Sequence, residues 1–316
     1  MNSLQALSRY YLFFAAGDAI GKTTEFMTLE DIASKIGPIT GLMDEKLSQN
    51  HSDLRSWEVT DDTEQNLWLL RRYLKDGTVS IENTVSALVD WINETGAVEK
   101  KYIGPSSLAA LEAIKKGKDP LTTGLNGTTC GGIMRCPAAV WASILLKEDL
   151  DTCIYNALVP THNTSVAMES AFAYGYALKA ALEGAEEKAV FEQALRGCSV
   201  GLSKAPWVWA SASLASRLKY LSSLQLKSWE SDKVKAFMYG VLGTGLPSYE
   251  TSSAVATLAM HTTSPLKALF LAAETGGDTD TIAALAAGLI SLMNTTEQMP
   301  ESISSVLLEH NDLRVC

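Results

Sequence analysis

Along most of the chain, apolar residues recur with the three-to-four-residue spacing of buried helix faces, while alternating runs of β-branched residues are nearly absent. This pattern predicts an all-α protein. Helices are expected over Leu4 to Ala16, Glu64 to Lys75, Ile81 to Glu94, Ser106 to Lys116, Ile133 to Leu146 and Thr164 to Leu182. Further ones are expected over Lys188 to Ser199, Val208 to Leu221, Asp232 to Tyr239, Ser252 to Met260, Pro265 to Glu274 and Thr281 to Met293. Alanine-rich faces in Ala171 to Ala181 and Ile282 to Leu289 would let neighbouring helices approach closely. No Pro- or Ser-rich linker and no fixed-period repeat divides the chain, so one domain over residues 1–316 is the economical expectation. The polar stretches Met43 to Trp57 and Gly117 to Gly132 are the most loop-like, and each leads into a motif of chemical interest.

Composition narrows the classes. The 316 residues are 47% hydrophobic, enough for a sizeable core, and no apolar stretch is uninterrupted for long enough to suggest a membrane span. The formal net charge is −10 with Lys and Arg occurring singly or in pairs, which argues against nucleic acid as a partner. The five cysteines form no Cys-x-x-Cys pair and are an odd number, which fits reduced thiols. Met1 to Leu12 does not read as a secretion signal, so a cytoplasmic location is expected. Four histidines without a His-Glu-x-x-His arrangement give little support to a zinc hydrolase.

Two acidic clusters stand out, Thr60-Asp61-Asp62-Thr63-Glu64 and Gly276-Gly277-Asp278-Thr279-Asp280-Thr281. An ordinary reading makes them helix caps: Thr60 as N-cap, Asp61 with Glu64 at capping-box spacing, and Asp278 and Asp280 at the mouth of an alanine-rich helix. Capping needs one suitable side chain, however, and each cluster carries two acids and a hydroxyl without a basic neighbour in sequence. Thr60, Asp61, Asp62, Asp278, Asp280 and Thr281 therefore form a candidate oxygen-ligand set for two hard divalent cations, Mg2+ or Mn2+.

Three further segments add candidates. In Gly17-Asp18-Ala19-Ile20-Gly21-Lys22-Thr23-Thr24-Glu25, Gly21 can end the first helix and leave Glu25 on a short loop within reach of a site. Solvated loop acids are the plain alternative for Asp18 and Glu25. The glycine-rich run from Asn126 to Arg135, with Gly131 and Gly132, permits close backbone approach to a ligand, or is a plain loop-to-helix junction with Arg135 paired to a carboxylate. His162 precedes a long helix as a substrate contact or a structural donor.

In order, the chain shows Gly-Asp-Ala-x-Gly with a Glu four residues on, Thr-Asp-Asp-Thr, Gly-Pro-Ser-Ser, Met-Arg-x-Pro, Thr-His and Gly-Gly-Asp-Thr-Asp-Thr-Ile. This ordered set, from about Gly17 to Leu289, resembles the ADP-ribosylglycohydrolase family. The resemblance implies a compact orthogonal multi-helix bundle with a binuclear Mg2+ or Mn2+ cleft, hydrolysing an N- or O-glycosidic bond at a ribose anomeric carbon. It places Thr60, Asp61, Asp62, Asp278, Asp280 and Thr281 at metal positions and Glu25 and Asp62 as candidate bases. Asn126, Gly131, Gly132 and His162 fall in substrate-lining segments. Cys130 departs from the Asn common at its position in relatives. The expected substrate is an ADP-ribosylated protein or a small ribosyl compound. A free nucleoside, or a silent ADP-ribose-binding module, is the alternative.

Overall fold

The computed structural model describes residues 1–100 and 102–315; Lys101 and Cys316 lie outside the described residues. Among these it contains sixteen α-helices and no strand, with a single antiparallel bridge between Thr129 and Pro247. The fold is all-α, as the periodicity requires.

The helices are α1 (Ser3–Gly21), α2 (Leu29–Lys35), α3 (Asp61–Asp76), α4 (Ile81–Thr95), α5 (Pro105–Lys115) and α6 (Pro120–Thr123). They continue as α7 (Gly131–Leu146), α8 (Leu150–Leu158), α9 (Ser165–Leu182), α10 (Glu187–Lys204) and α11 (Leu214–Ser223). The last are α12 (Ser231–Phe237), α13 (Ser248–His261), α14 (Pro265–Ala273), α15 (Thr279–Met293) and α16 (Glu301–His310).

Helix α15 is central: Thr279 to Leu292 are all buried, and it packs against α1, α14, α13 and α9. Its small residues set how near α1 can come. A Cβ on Gly17 would lie 2.5 Å from the Ala283 carbonyl carbon, and one on Gly21 would lie 2.5 Å from Asp280 Cα. These two glycines are therefore the condition for the α1–α15 contact, since only a residue without a Cβ admits backbone at that distance. Helix α1 has core on both sides. Tyr10, Tyr11 and Phe14 join the large cluster formed with α3, α7 and α9, while Phe13, Ala16 and Ile20 join a smaller one with Ile32, Leu269, Ile303 and Leu307.

Departures from the expected helices have local causes. The segment expected to begin at Val208 becomes helical only at Leu214. The Trp209 N–H donates to Ser165 Oγ, and the buried Glu169 carboxylate takes the N–H groups of Leu214 and Ala215, so a distant helix fixes where α11 starts. The helix expected over Asp232 to Tyr239 breaks after Phe237 into a π-helical turn, Met238–Leu242. Helices α2, α6, α8 and α16 were not expected, α6 being a single turn inside the loop-like stretch Gly117 to Gly132. Yet α8 carries a readable start, the Asp149 side chain accepting the Thr152 N–H at 2.9 Å.

Candidate active site

Four helices, α3, α5, α7 and α15, begin at one cavity of about 380 Å3. Its wall includes Glu25, Phe26, His51, Asp61, Asp62, Tyr102, Thr129, Cys130, Gly131, Asp278, Asp280 and Thr281. A larger groove between the first turns of α1 and residues 308–315 contains neither acidic cluster.

The two clusters meet despite 219 residues of separation: the Thr281 hydroxyl lies 3.1 Å from Asp62 Oδ2 and 3.2 Å from Asp278 Oδ1. Capping does not occupy Asp61, Asp62 or Asp278, while Asp280 Oδ1 accepts the Thr281 N–H at 2.9 Å. At the start of α3 Thr60 is the N-cap, as expected, its hydroxyl accepting the Asp62 N–H at 3.5 Å, and Asp18 accepts from the Thr60 N–H at 3.0 Å, the Thr60 hydroxyl at 2.8 Å and the Thr63 N–H at 3.0 Å. Asp18 is fully buried near the end of α1, not a solvated loop acid. Glu64 forms no capping box and accepts instead from Trp91 Nε1 at 2.7 Å and the Tyr102 hydroxyl at 2.8 Å. Asp278 stands at the N-cap of α15 without a side-chain capping bond.

The second cluster reaches its place through a turn that only glycine adopts without strain. Gly276 and Gly277 have φ of +87° and +82°, and a Cβ on Gly277 would lie 2.2 Å from the Thr244 carbonyl oxygen. Across that turn the Asp278 N–H donates to Thr244 O at 2.6 Å and the Phe26 N–H to Gly277 O at 2.7 Å. Phe26 itself is left-handed at φ 59°. Glu25 is thereby delivered to the cavity, where His51 Nε2 lies 2.5 Å from its Oε2 and the Asn50 side chain donates to its carbonyl at 3.0 Å. His51 arrives from the polar loop through its N–H bond to Ser48 Oγ, whose hydroxyl in turn donates to the Lys22 carbonyl.

Burial raises the Asp61, Asp62 and Asp280 carboxyls well above the ordinary range, reinforced by neighbouring acids; it pushes Asp278 up to about 7, with Glu25 the next cause. So many adjacent buried carboxylates cannot all ionise without added positive charge. The cations present are few and set back. Lys22, lowered to about 8 by burial, donates to the Ala19 and Ser56 carbonyls. Arg135, lowered to about 10 by burial, has no carboxylate partner: it bonds Gln65, Ser107, Thr161 and His162. The carboxylate pairing expected for Arg135 does not form. Two buried oxygens, Asp62 Oδ1 and Asp278 Oδ2, have no hydrogen-bond partner. Glu25, His51 and Asp280 each offer a donor atom within 4.8 Å of the others, a group able to hold a metal ion. Charge, orphaned oxygens and hard donors all fit a divalent cation.

Not every expected residue lines the cavity. Thr60 is buried behind it on Asp18, Asn126 is exposed, and Gly132 and His162 lie beneath Gly131. His51, Tyr102, Asp18 and Lys22 were missed as site residues. For Asp18 the signal was its place in the Gly-Asp-Ala motif; for His51 there was only a polar loop.

The all-helical fold thus gathers buried acids, hydroxyls and a Glu–His pair at converging helix starts, a set of donors suited to a hard cation. The sequence profile of the ADP-ribosylglycohydrolase family matches residues 12–315, and the chain belongs to this family. That membership supports a glycoside hydrolase. The chain is 27% identical to the uncharacterized Escherichia coli K12 protein YegU over 305 residues, 95% of this chain and 90% of that protein. It is 26% identical over 194 residues, 59% of this chain and 61% of the relative, to the ADP-ribosyl-[dinitrogen reductase] glycohydrolase of Rhodospirillum rubrum. A solved structure described as an ADP-ribosylglycohydrolase-related protein complex superposes with a TM-score of 0.64 at 19% identity, covering 97% of this chain and 96% of that one; this likeness shows the fold.

Proposed function

We propose that the protein is a metal-dependent, single-domain glycohydrolase that releases ADP-ribose from an ADP-ribosylated substrate by cleaving the N- or O-glycosidic bond at the ribose anomeric carbon. The observation that carries this reading is the convergence of Asp62 and Asp278 on Thr281, with one oxygen of each acid left without a partner. The residues that would hold two divalent cations, Mg2+ or Mn2+, are Asp61, Asp62, Asp278, Asp280 and Thr281; Thr60, expected with them, has its hydroxyl committed to Asp18 behind the wall. Such ions, when bound, supply the charge the acids lack, fix ribose hydroxyls and acidify a nearby water. Glu25, held at Oε2 by His51, is suited to take the proton of the attacking water on its other oxygen as the bond from the anomeric carbon to the leaving group breaks. Asp62 is the second candidate base. Its Oδ2 faces the Thr281 hydroxyl, and its Oδ1 is free of any protein donor.

One observation favours a second reading, hydrolysis of a free nucleoside: among the described residues no Lys or Arg lines the cavity, so from these a diphosphate would be met by neutral donors. A panel of ADP-ribosyl-arginine, ADP-ribosyl-serine, O-acetyl-ADP-ribose and free nucleosides, each with Mg2+ or Mn2+, followed by mass spectrometry, separates the two. Release of ADP-ribose is expected. Cleavage of nucleosides alone would replace the first reading with the second. The Asp280→Asn variant should lose at least about 100-fold in kcat/KM, on the scale of about 3 kcal/mol of transition-state stabilisation, while its helical circular dichroism is retained. Undiminished turnover in that variant, still requiring metal, would remove Asp280 from the ligand set.

A further inference from the structure

Behind the cavity wall lies a buried hydrogen-bond chain whose polarity is fixed at one end. Arg135 is wholly buried and can only donate. One of its terminal nitrogens bonds the Thr161 hydroxyl and lies 3.2 Å from His162 Nδ1; Thr161 Oγ1 is 2.9 Å from the same Nδ1. A proton on Nδ1 would face the guanidinium N–H groups directly, so Nδ1 is the acceptor and the single ring proton sits on Nε2. Burial and Arg135 also hold His162 well below its ordinary pKa, in keeping with a neutral ring.

His162 Nε2 lies 3.0 Å from Thr129 Oγ1. The ring therefore donates to Thr129, whose oxygen becomes the acceptor and whose own proton must point elsewhere. Within the protein its available acceptor is Ser106 Oγ at 3.4 Å, a long contact to a half-exposed hydroxyl. Thr129 itself lines the cavity. Its backbone is clamped: the Ser248 N–H and the Cys130 N–H bond Thr128 O and Leu246 O at 3.0 and 2.8 Å, and the Thr129–Pro247 bridge runs between them. The His162 ring is wedged under Gly131, where a Cβ would come within 2.8 Å of its Cε1. The His162 ring and the Thr129 backbone are thus both held in place.

We infer that Thr129 is a substrate-orienting hydrogen-bond donor, its polarity set by the Arg135–Thr161–His162 chain, and that it engages an acceptor-only oxygen of the substrate. His162 is a positioning residue that acts through Thr129 and does not touch substrate. Where the described lining residues include no Lys or Arg, a neutral donor is the kind of group by which a phosphate oxygen, or a base carbonyl, is recognised. The inference rests on the cavity being the substrate site and deepens the proposed function by assigning this donor a partner.

The test is calorimetric binding in the presence of Mg2+ to wild type, Thr129→Val, Thr129→Ser and His162→Gln, with ADP-ribose as the phosphate-bearing probe and inosine as a carbonyl-bearing probe without phosphate. Thr129→Val removes the hydroxyl at nearly constant shape, and ADP-ribose affinity should fall about 10-fold, with Ser restoring it to within about 3-fold, on the scale of one hydrogen bond to a charged group. His162→Gln should weaken ADP-ribose binding in the wild-type background and add little in the Thr129→Val background, because the two act as one unit. A merely structural His162 would give additive losses. If Thr129→Val weakens inosine but not ADP-ribose, the acceptor is a base carbonyl. Unchanged affinity for both probes overturns the inference. ADP-ribose is the product of the first reading and not its substrate, so its affinities stand apart from success or failure of the substrate panel; inosine is checked for intactness by mass spectrometry after titration.

Discussion

At the residue scale, the decisive side chain is Asp18. It takes three donors from the start of α3 and, with Thr60 as the N-cap, leaves Asp61 free of the capping-box role that its spacing to Glu64 suggests. Asp18→Ala would leave the Thr60 and Thr63 N–H groups buried and unpaired, at a cost of about 3 kcal/mol; denaturant unfolding should show that loss as a lower midpoint with an unchanged m-value. The acids of the cavity make a second prediction. In the metal-free protein the folded pKa of Asp278 is about 7 against 3.8 for an exposed carboxyl, and Asp61, Asp62 and Asp280 are raised likewise. Between about pH 4 and pH 7 the unfolded chain thus binds fewer protons than the folded one, and stability falls as pH rises through that window. Thermal melts in chelator should show Tm higher at pH 5 than at pH 7.5. Adding Mg2+ or Mn2+ should reduce the difference, and a Tm that rises with pH in chelator would contradict the account.

At the scale of elements, the α1–α15 contact sets the distance between Asp18 and Asp280. Gly17→Ala and Gly21→Ala place a methyl 2.5 Å from opposing backbone, where no side-chain rotation relieves it. Each should destabilise by about 1–3 kcal/mol, with a difference in kind. The Gly21 methyl meets Asp280 Cα, so that variant should weaken metal binding, read by calorimetry, more than Gly17→Ala, whose methyl meets Ala283 one turn along. Most long helices were legible in the apolar spacing because one face of each is buried. Others were not, for reasons that differ. Helices α2 and α16, of seven and ten residues, are short and half-exposed, so they carry little periodicity. The start of α11 depends on Glu169, which is 45 residues away from Leu214 in the chain.

At the scale of the whole molecule, the fold assembles a concentrated negative site within a chain of net charge −10 and holds Lys22 and Arg135 buried behind the wall. Binding of a cation to the folded state alone should therefore be visible as stability. At 100 times Kd the gain is about 2.7 kcal/mol, and Tm should climb with the logarithm of Mg2+ or Mn2+ concentration and collapse on chelation. A Tm indifferent to both ions would argue against metal at this site. The sequence by itself determined the helical class, the family-like order of motifs and the supply of hard oxygen donors, because apolar periodicity and residue type are local properties that one strand of text records. Only the tertiary structure decided which of those donors are free. It put Asp18 on the cap of α3, turned His162 inward onto Thr129, recruited His51 to Glu25 and left Arg135 without an acid. The physical reason is that hydrogen-bond satisfaction in a buried site is a competition among groups tens to hundreds of residues apart, and its outcome exists only once the chain has folded.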